Sequence, residues 1–224
     1  MSKHATSPVI TVIKRGNRPT EDNMGKTLVE KRHLISSLFI AMLLAIAYQE
    51  MLNPVRDSVR ASGVKPVTIF LALSFLLTSI RFFIGNQLHL LSESTNNIRG
   101  DVWLFDFMFI IIQSIFICFL GGASSEEVNR ITHINFYNIL IILYALDVLW
   151  IALQAILGKA IAAWQRPSIP WAWAALNTSL LIGTLLIQWS FSDLFGFQSL
   201  ATLLLLNIAG FTIDMILLDQ YHLV

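Results

Sequence analysis

The chain has 224 residues, of which 55% are hydrophobic and 13% charged, whereas a soluble domain carries roughly 25% charged residues; a soluble fold could not hide so much apolar surface. The formal net charge of +1 leaves no global basic field, so nucleic acid is not an expected partner. Cys118 is the single cysteine and falls inside an apolar run, which excludes an intrachain disulfide and a cysteine-rich zinc site.

Residues 1–33 form a polar, basic leader. Within it, Val9, Ile10, Thr11, Val12 and Ile13 make a β-prone run followed by Lys14 and Arg15, a pattern that fits strand addition to a cytoplasmic partner. The simpler reading is an exposed leader whose basic residues enforce topology and touch anionic lipid. The first apolar run, Leu34 to Leu52, is not followed closely by a small-residue cleavage site, so it is read as a retained signal anchor. It is also the weakest span, because Gln49 and Glu50 interrupt its end. Met51 to Val64 mixes Met51, Leu52, Val55 and Val59 with basic residues, the composition of a short amphipathic helix lying along the membrane surface.

A helix needs about 20 apolar residues to cross the hydrocarbon core. Five further runs approach that length: Pro66 to Gly85, Val102 to Gly121, Asn138 to Leu157, Pro170 to Trp189 and Ser199 to Leu218. Breakers separate them, among them Gly63 and Pro66, Gly121 and Gly122, Pro167 and Pro170, and Gly196. The expected fold is therefore an all-α integral membrane protein, a bundle of about six transmembrane helices with short loops. It spans residues 34–218, and a short cytoplasmic C-terminus, 219–224, follows.

Orientation follows from Lys and Arg near the span ends. An inside N-terminus places the basic leader, Arg99, Lys159 and Arg166 in the cytoplasm, against Arg56, Arg60, Lys65 and Arg130 outside. Both termini are accordingly expected to be cytoplasmic, in a plasma or bacterial inner membrane. Trp164, Trp171 and Trp173 cluster at one end of the fifth span and Trp189 at the other, the placement of interfacial anchors. Trp150 lies too deep for that role and is expected between helices.

Residues seven apart nearly superpose on one helical face, and each of the last five spans carries a polar stripe at that spacing. The second has Ser74, Thr78, Arg81, Gly85 and His89; the third has Asp106 and Gln113; the fourth has Tyr144, Asp147, Gln154 and Gly158. Trp173, Asn177, Thr184 and Gln188 mark the fifth span, and Asn207, Gly210 and Asp214 the sixth. Five such faces predict a shared polar interior, with Gln113, Gln154, Asn177 and Asn207 as its uncharged members.

Ionisable residues inside a bilayer cost roughly 2.5 to 3.5 kcal/mol each and normally pair. Alternating span directions put Arg81, Asp106 and Asp214 at one depth, so the expected charge cluster joins Arg81 to Asp106, Asp214 or both. Such a cluster is equally suited to tying helices together. Asp147 falls near the middle of its span with no cationic partner apparent in the sequence, which makes it the leading functional candidate. Small residues repeat every four positions at Ser37, Ala41 and Ala45 and at Ala175, Ser179 and Gly183, a spacing that admits close helix approach within the chain or to another subunit.

No histidine is deep in a span, so a haem or metal centre is not expected, nor any cofactor. Hydrolase, phosphate-loop and zincin motifs are absent from the sequence, and no catalytic residues are assigned. The chain is read as a non-enzyme: a homo-oligomeric channel or membrane-perturbation-responsive component embedded in the lipid bilayer. The alternatives are a non-conducting scaffold or sensor that recruits a cytoplasmic partner through its leader, and a proton-coupled small-solute carrier.

Overall fold

The computed structural model describes residues 21–61, 63, 65–95, 100–124, 135–161 and 171–222. All regular structure among them is helical: α1 (Glu21–Ala61), α2 (Pro66–Thr95), α3 (Gly100–Gly122), α4 (Phe136–Ala160), α5 (Trp171–Ser190) and α6 (Phe197–His222). Each contains a segment long and apolar enough to cross a membrane, including Leu34–Asp57 in α1. The β-prone run at 9–13, Arg99, Arg130, Trp164 and Arg166 lie outside the described residues.

The helix ends have local causes. Gly63 takes a φ of 91° in the turn between α1 and α2, a region open to glycine without a Cβ penalty, and Pro66 then opens α2, where its missing N–H costs nothing. Asn135 caps α4 by accepting from the backbone N–H of Asn138 at 2.9 Å. Between α5 and α6, Asp193 accepts from the backbone N–H of Phe195 at 3.1 Å, closing a tight polar turn. The Tyr137 hydroxyl donates to the Leu194 carbonyl at 3.0 Å and ties α4 to that turn.

One expectation is corrected. Met51 to Val64 does not begin a separate surface helix; α1 runs unbroken through Pro54 to Ala61. Proline removes one backbone hydrogen bond, but Tyr48, Met51 and Val55 continue the buried face on either side of it and pack on the main core. Side-chain packing carries the helix across the break.

The helices close into a ring in the order α1, α3, α4, α5, α6, α2, with α2 also touching α3 across it. α1 and α3 approach closely at Gly121, where an added Cβ would stand 2.4 Å from the backbone oxygen of Ala47. The repeats of small residues do not form that seam: Ala41, Ala45, Ala175 and Ser179 are exposed, although Gly183 sits against Leu206. Large apolar side chains, among them Leu38, Phe119, Ile156, Leu186, Leu205 and Ile216, cover the outside of the bundle. Trp171 and Trp189 are exposed at opposite ends of α5. Trp173 turns inward instead and is 5% exposed, because it lies one helical turn before Asn177 on the face that α5 presents to the bundle.

Candidate functional site

Polar stripes that the sequence distributes over five helices meet inside the ring. Arg81, Asp106, Gln113, Asp147, Gln154, Asn177, Asn207 and Asp214 are all buried. They resolve into two knots, one around Asp147 and one around Asp106.

Asp147, from the middle of α4, is fully buried and accepts from three N–H donors. Gln113 of α3 donates to one carboxyl oxygen at 2.9 Å, while Trp173 and Asn177, both of α5, donate to the other. Both side-chain amides extend the chain of bonds outward. Gln113 accepts from the Asn86 amide at 3.1 Å, and Asn177 accepts from the Arg81 guanidinium. Arg81 Nε donates in turn to Asp214 of α6, forming a buried ion pair. One directed network therefore runs from Asp214 through Arg81 and Asn177 to Asp147, and back out through Gln113 to Asn86. Charge-assisted bonds of this kind are roughly twice as strong as neutral ones.

Three aromatic rings surround the guanidinium. Its carbon stands 5.2 Å from the Trp173 ring centroid, 5.3 Å from Phe82 and 5.7 Å from Tyr144, each within cation–π reach. Trp173 can lie there because residue 85 is glycine: an added Cβ would come 1.9 Å from the far edge of the indole. On the other side of Tyr144, its hydroxyl donates to Asn207 Oδ1 at 2.9 Å, and Thr78 donates to the same oxygen at 3.4 Å.

Asp106 has other partners. Trp150 and Gln154, one turn apart on α4, donate to its Oδ1 at 2.7 and 2.8 Å, and His89 Nε2 stands 3.9 Å from its Oδ2. Of the expected cluster, the structure joins Arg81 to Asp214 and gives Asp106 a separate setting. α3 packs mainly on α1 and α4, and Asp106 meets Trp150 and Gln154 of α4 and, on α2, His89 rather than Arg81.

Asp147 lacks a direct cationic contact, as the sequence suggests, but Asn177 links it to Arg81 within the same network. Two participants escape a sequence reading centred on charges. Asn86 has a signal, since it falls seven residues after Ser79 on a second polar face of α2. Trp173 looks like an interfacial anchor by composition, and only its place in the Asn177 stripe hints otherwise. Comparisons of the chain with models of known protein families, with curated proteins and with solved structures find no match.

Proposed function

We propose that this chain is a multi-pass integral membrane protein, with both termini cytoplasmic in a plasma or bacterial inner membrane, that gates ion movement through its charged interior as a homo-oligomer. One observation carries the reading: Asp147, at mid-depth, is wired through Asn177 to the Arg81–Asp214 pair. Three ionisable groups in a bilayer interior cost roughly 2.5 to 3.5 kcal/mol each, while an interhelical hydrogen bond returns about 0.6 kcal/mol on average. Helix cohesion alone is a poor reason to keep them. In the state described, every member from Arg81 to Asp147 is buried, so conduction requires α5 to withdraw Trp173 and Asn177 from the carboxylate. Ala175 and Ser179, small and outward on α5, offer a close-approach face to a neighbouring subunit, and a subunit contact there would bear on the helix that must move.

Purified protein in sealed liposomes tests this. A voltage- or pH-dependent ion leak is expected, lost in Asp147→Asn protein that elutes at the wild-type position. Liposomes that stay sealed across a range of voltages and pH overturn the reading. The enclosure of Asp147 also suits a proton-coupled carrier, which would instead show solute uptake driven by a pH gradient without a leak.

A further inference from the structure

The chain of bonds around Asp147 has a fixed polarity where it reaches α2. Gln113 gives its amide N–H to the Asp147 carboxyl at 2.9 Å, so it presents its oxygen to α2, and Asn86 answers with its own N–H at 3.1 Å. That orientation leaves Asn86 Oδ1, on a side chain only 2% exposed, with no hydrogen-bond partner. A buried acceptor of this kind calls for a donor. Asn86 also lines a narrow pocket of about 10 Å³ where α1, α2 and α3 meet, room for about one water molecule.

The other polar groups on the pocket are acceptors too. Ser114 commits its single hydroxyl proton to the Ile110 carbonyl at 2.8 Å, and Ser79 commits its own to the Leu76 carbonyl at 3.0 Å or the Tyr48 hydroxyl at 3.3 Å. Each serine oxygen keeps lone pairs facing a new donor. Ile40, Leu44, Phe83 and Ile117 make up the rest of the wall, and among the described residues no charged side chain lines it. The occupant that fits is therefore neutral, small and able to donate twice.

We propose that this pocket binds a single water molecule, which donates to Asn86 Oδ1 and to a serine oxygen, Ser79 or Ser114, and is supplied past Tyr48. On the pocket side, the Tyr48 hydroxyl meets Ser79 Oγ. On its other side, Tyr48 joins Gln49, Asn53 and Arg56 in lining an open groove of about 690 Å³ along α1, where Gln49 and Arg56 are exposed. Polar groups thus continue from that groove through Tyr48, Ser79 and the pocket to Asn86, Gln113 and Asp147. The water gives the Asp147 network a hydrated end, away from the Arg81–Asp214 pair. Water can occupy the pocket whether or not ions cross the bundle, so liposomes that stay sealed would leave the site standing.

Hydroxyl radicals made in place by X-ray radiolysis mark side chains beside bound water, including buried ones that bulk solvent does not reach. In the full-length protein in detergent, Ile40 and Ile117 on the pocket wall are compared with Ile187, which matches Ile117 at 5% exposure but lies away from the pocket. Oxidation of Ile40 and Ile117 is expected to be several-fold faster than that of Ile187. Ser114→Thr keeps the hydroxyl and adds a methyl group to the pocket wall, and in protein that elutes at the wild-type position both rates should fall to the Ile187 level. If the threonine variant does not fold, the wild-type comparison decides alone. Mixing with heavy-oxygen water just before radiolysis times the supply, and Tyr48→Ala should speed the appearance of the label at Ile117. Wild-type rates at Ile40 and Ile117 no higher than at Ile187, or rates that folded Ser114→Thr protein leaves unchanged, overturn the water site. An exchange time indifferent to Tyr48→Ala overturns the supply route.

Discussion

Asp106 and Asp147 are both fully buried, and both accept hydrogen bonds from a tryptophan and from side-chain amides. They differ in where those donors come from. Trp150 and Gln154 reach Asp106 from successive turns of α4, so the bonds clamp α3 to one neighbour. Donors to Asp147 come from α3 and α5, and the second of these is itself engaged by an arginine on α2 that is paired with α6. The first arrangement ties α3 to α4 and stands beside His89 of α2. In the second, a change of charge or position at any member bears on bonds that join five helices.

The largest effect is expected at Arg81. Arg81→Met leaves the Asp214 carboxylate and the Asn177 oxygen buried without their cation, and removing one partner of a buried pair costs about 3 to 5 kcal/mol. Unfolding of the purified protein should show that loss. The double variant Arg81→Met, Asp214→Leu should recover part of it, because the carboxylate that lost its ion-pair partner is then removed as well. A single-variant loss no greater than that of an Asp106 variant would erase the distinction between the knots.

Next in size is the contact that lets Trp173 reach Asp147. Gly85→Ala drives a methyl into the indole, which must shift away from both Asp147 and Arg81; overpacking of this kind costs about 1 to 3 kcal/mol. In a Trp173→Phe background the smaller ring leaves room. The alanine should then cost much less, and a double-mutant cycle measures the difference. Additive losses would mean that Gly85 is not what seats the tryptophan.

Much of this site was legible in the linear order of residues. Seven-residue spacing of polar side chains reflects helical geometry alone, so the stripes on α2 to α6 and their inward direction could be read before any packing was known. Partner choice was not legible in that way. Arg81 and Asp106 sit at similar depth on consecutive helices, yet α3 crosses to α1 and α4, and the ring order of helices leaves no mark on a single sequence. The same limit explains α1. A proline inside a helix removes a backbone hydrogen bond, and only the core contacts of Met51 and Val55 show why α1 continues through Pro54.

The smallest effect sharpens the comparison most directly, because one chemical change gives opposite results at the two carboxylates. Both amide and indole donors to Asp106 come to Oδ1, with His89 Nε2 3.9 Å from Oδ2. Asp106→Asn can keep its carbonyl oxygen toward Trp150 and Gln154 and turn its new N–H group toward His89 Nε2. A loss of about 1 kcal/mol or less is expected, the scale of one hydrogen bond between membrane helices. Donors to Asp147 occupy both oxygens, Gln113 on one side and Trp173 with Asn177 on the other. Whichever way an asparagine is turned there, its amino group confronts an N–H donor, and burying such a mismatch costs about 1 to 3 kcal/mol. Measured side by side, Asp147→Asn should lose more stability than Asp106→Asn. Equal losses at the two aspartates would mean that Asp147 has a spare oxygen, and the directed network through Arg81 would have to be redrawn.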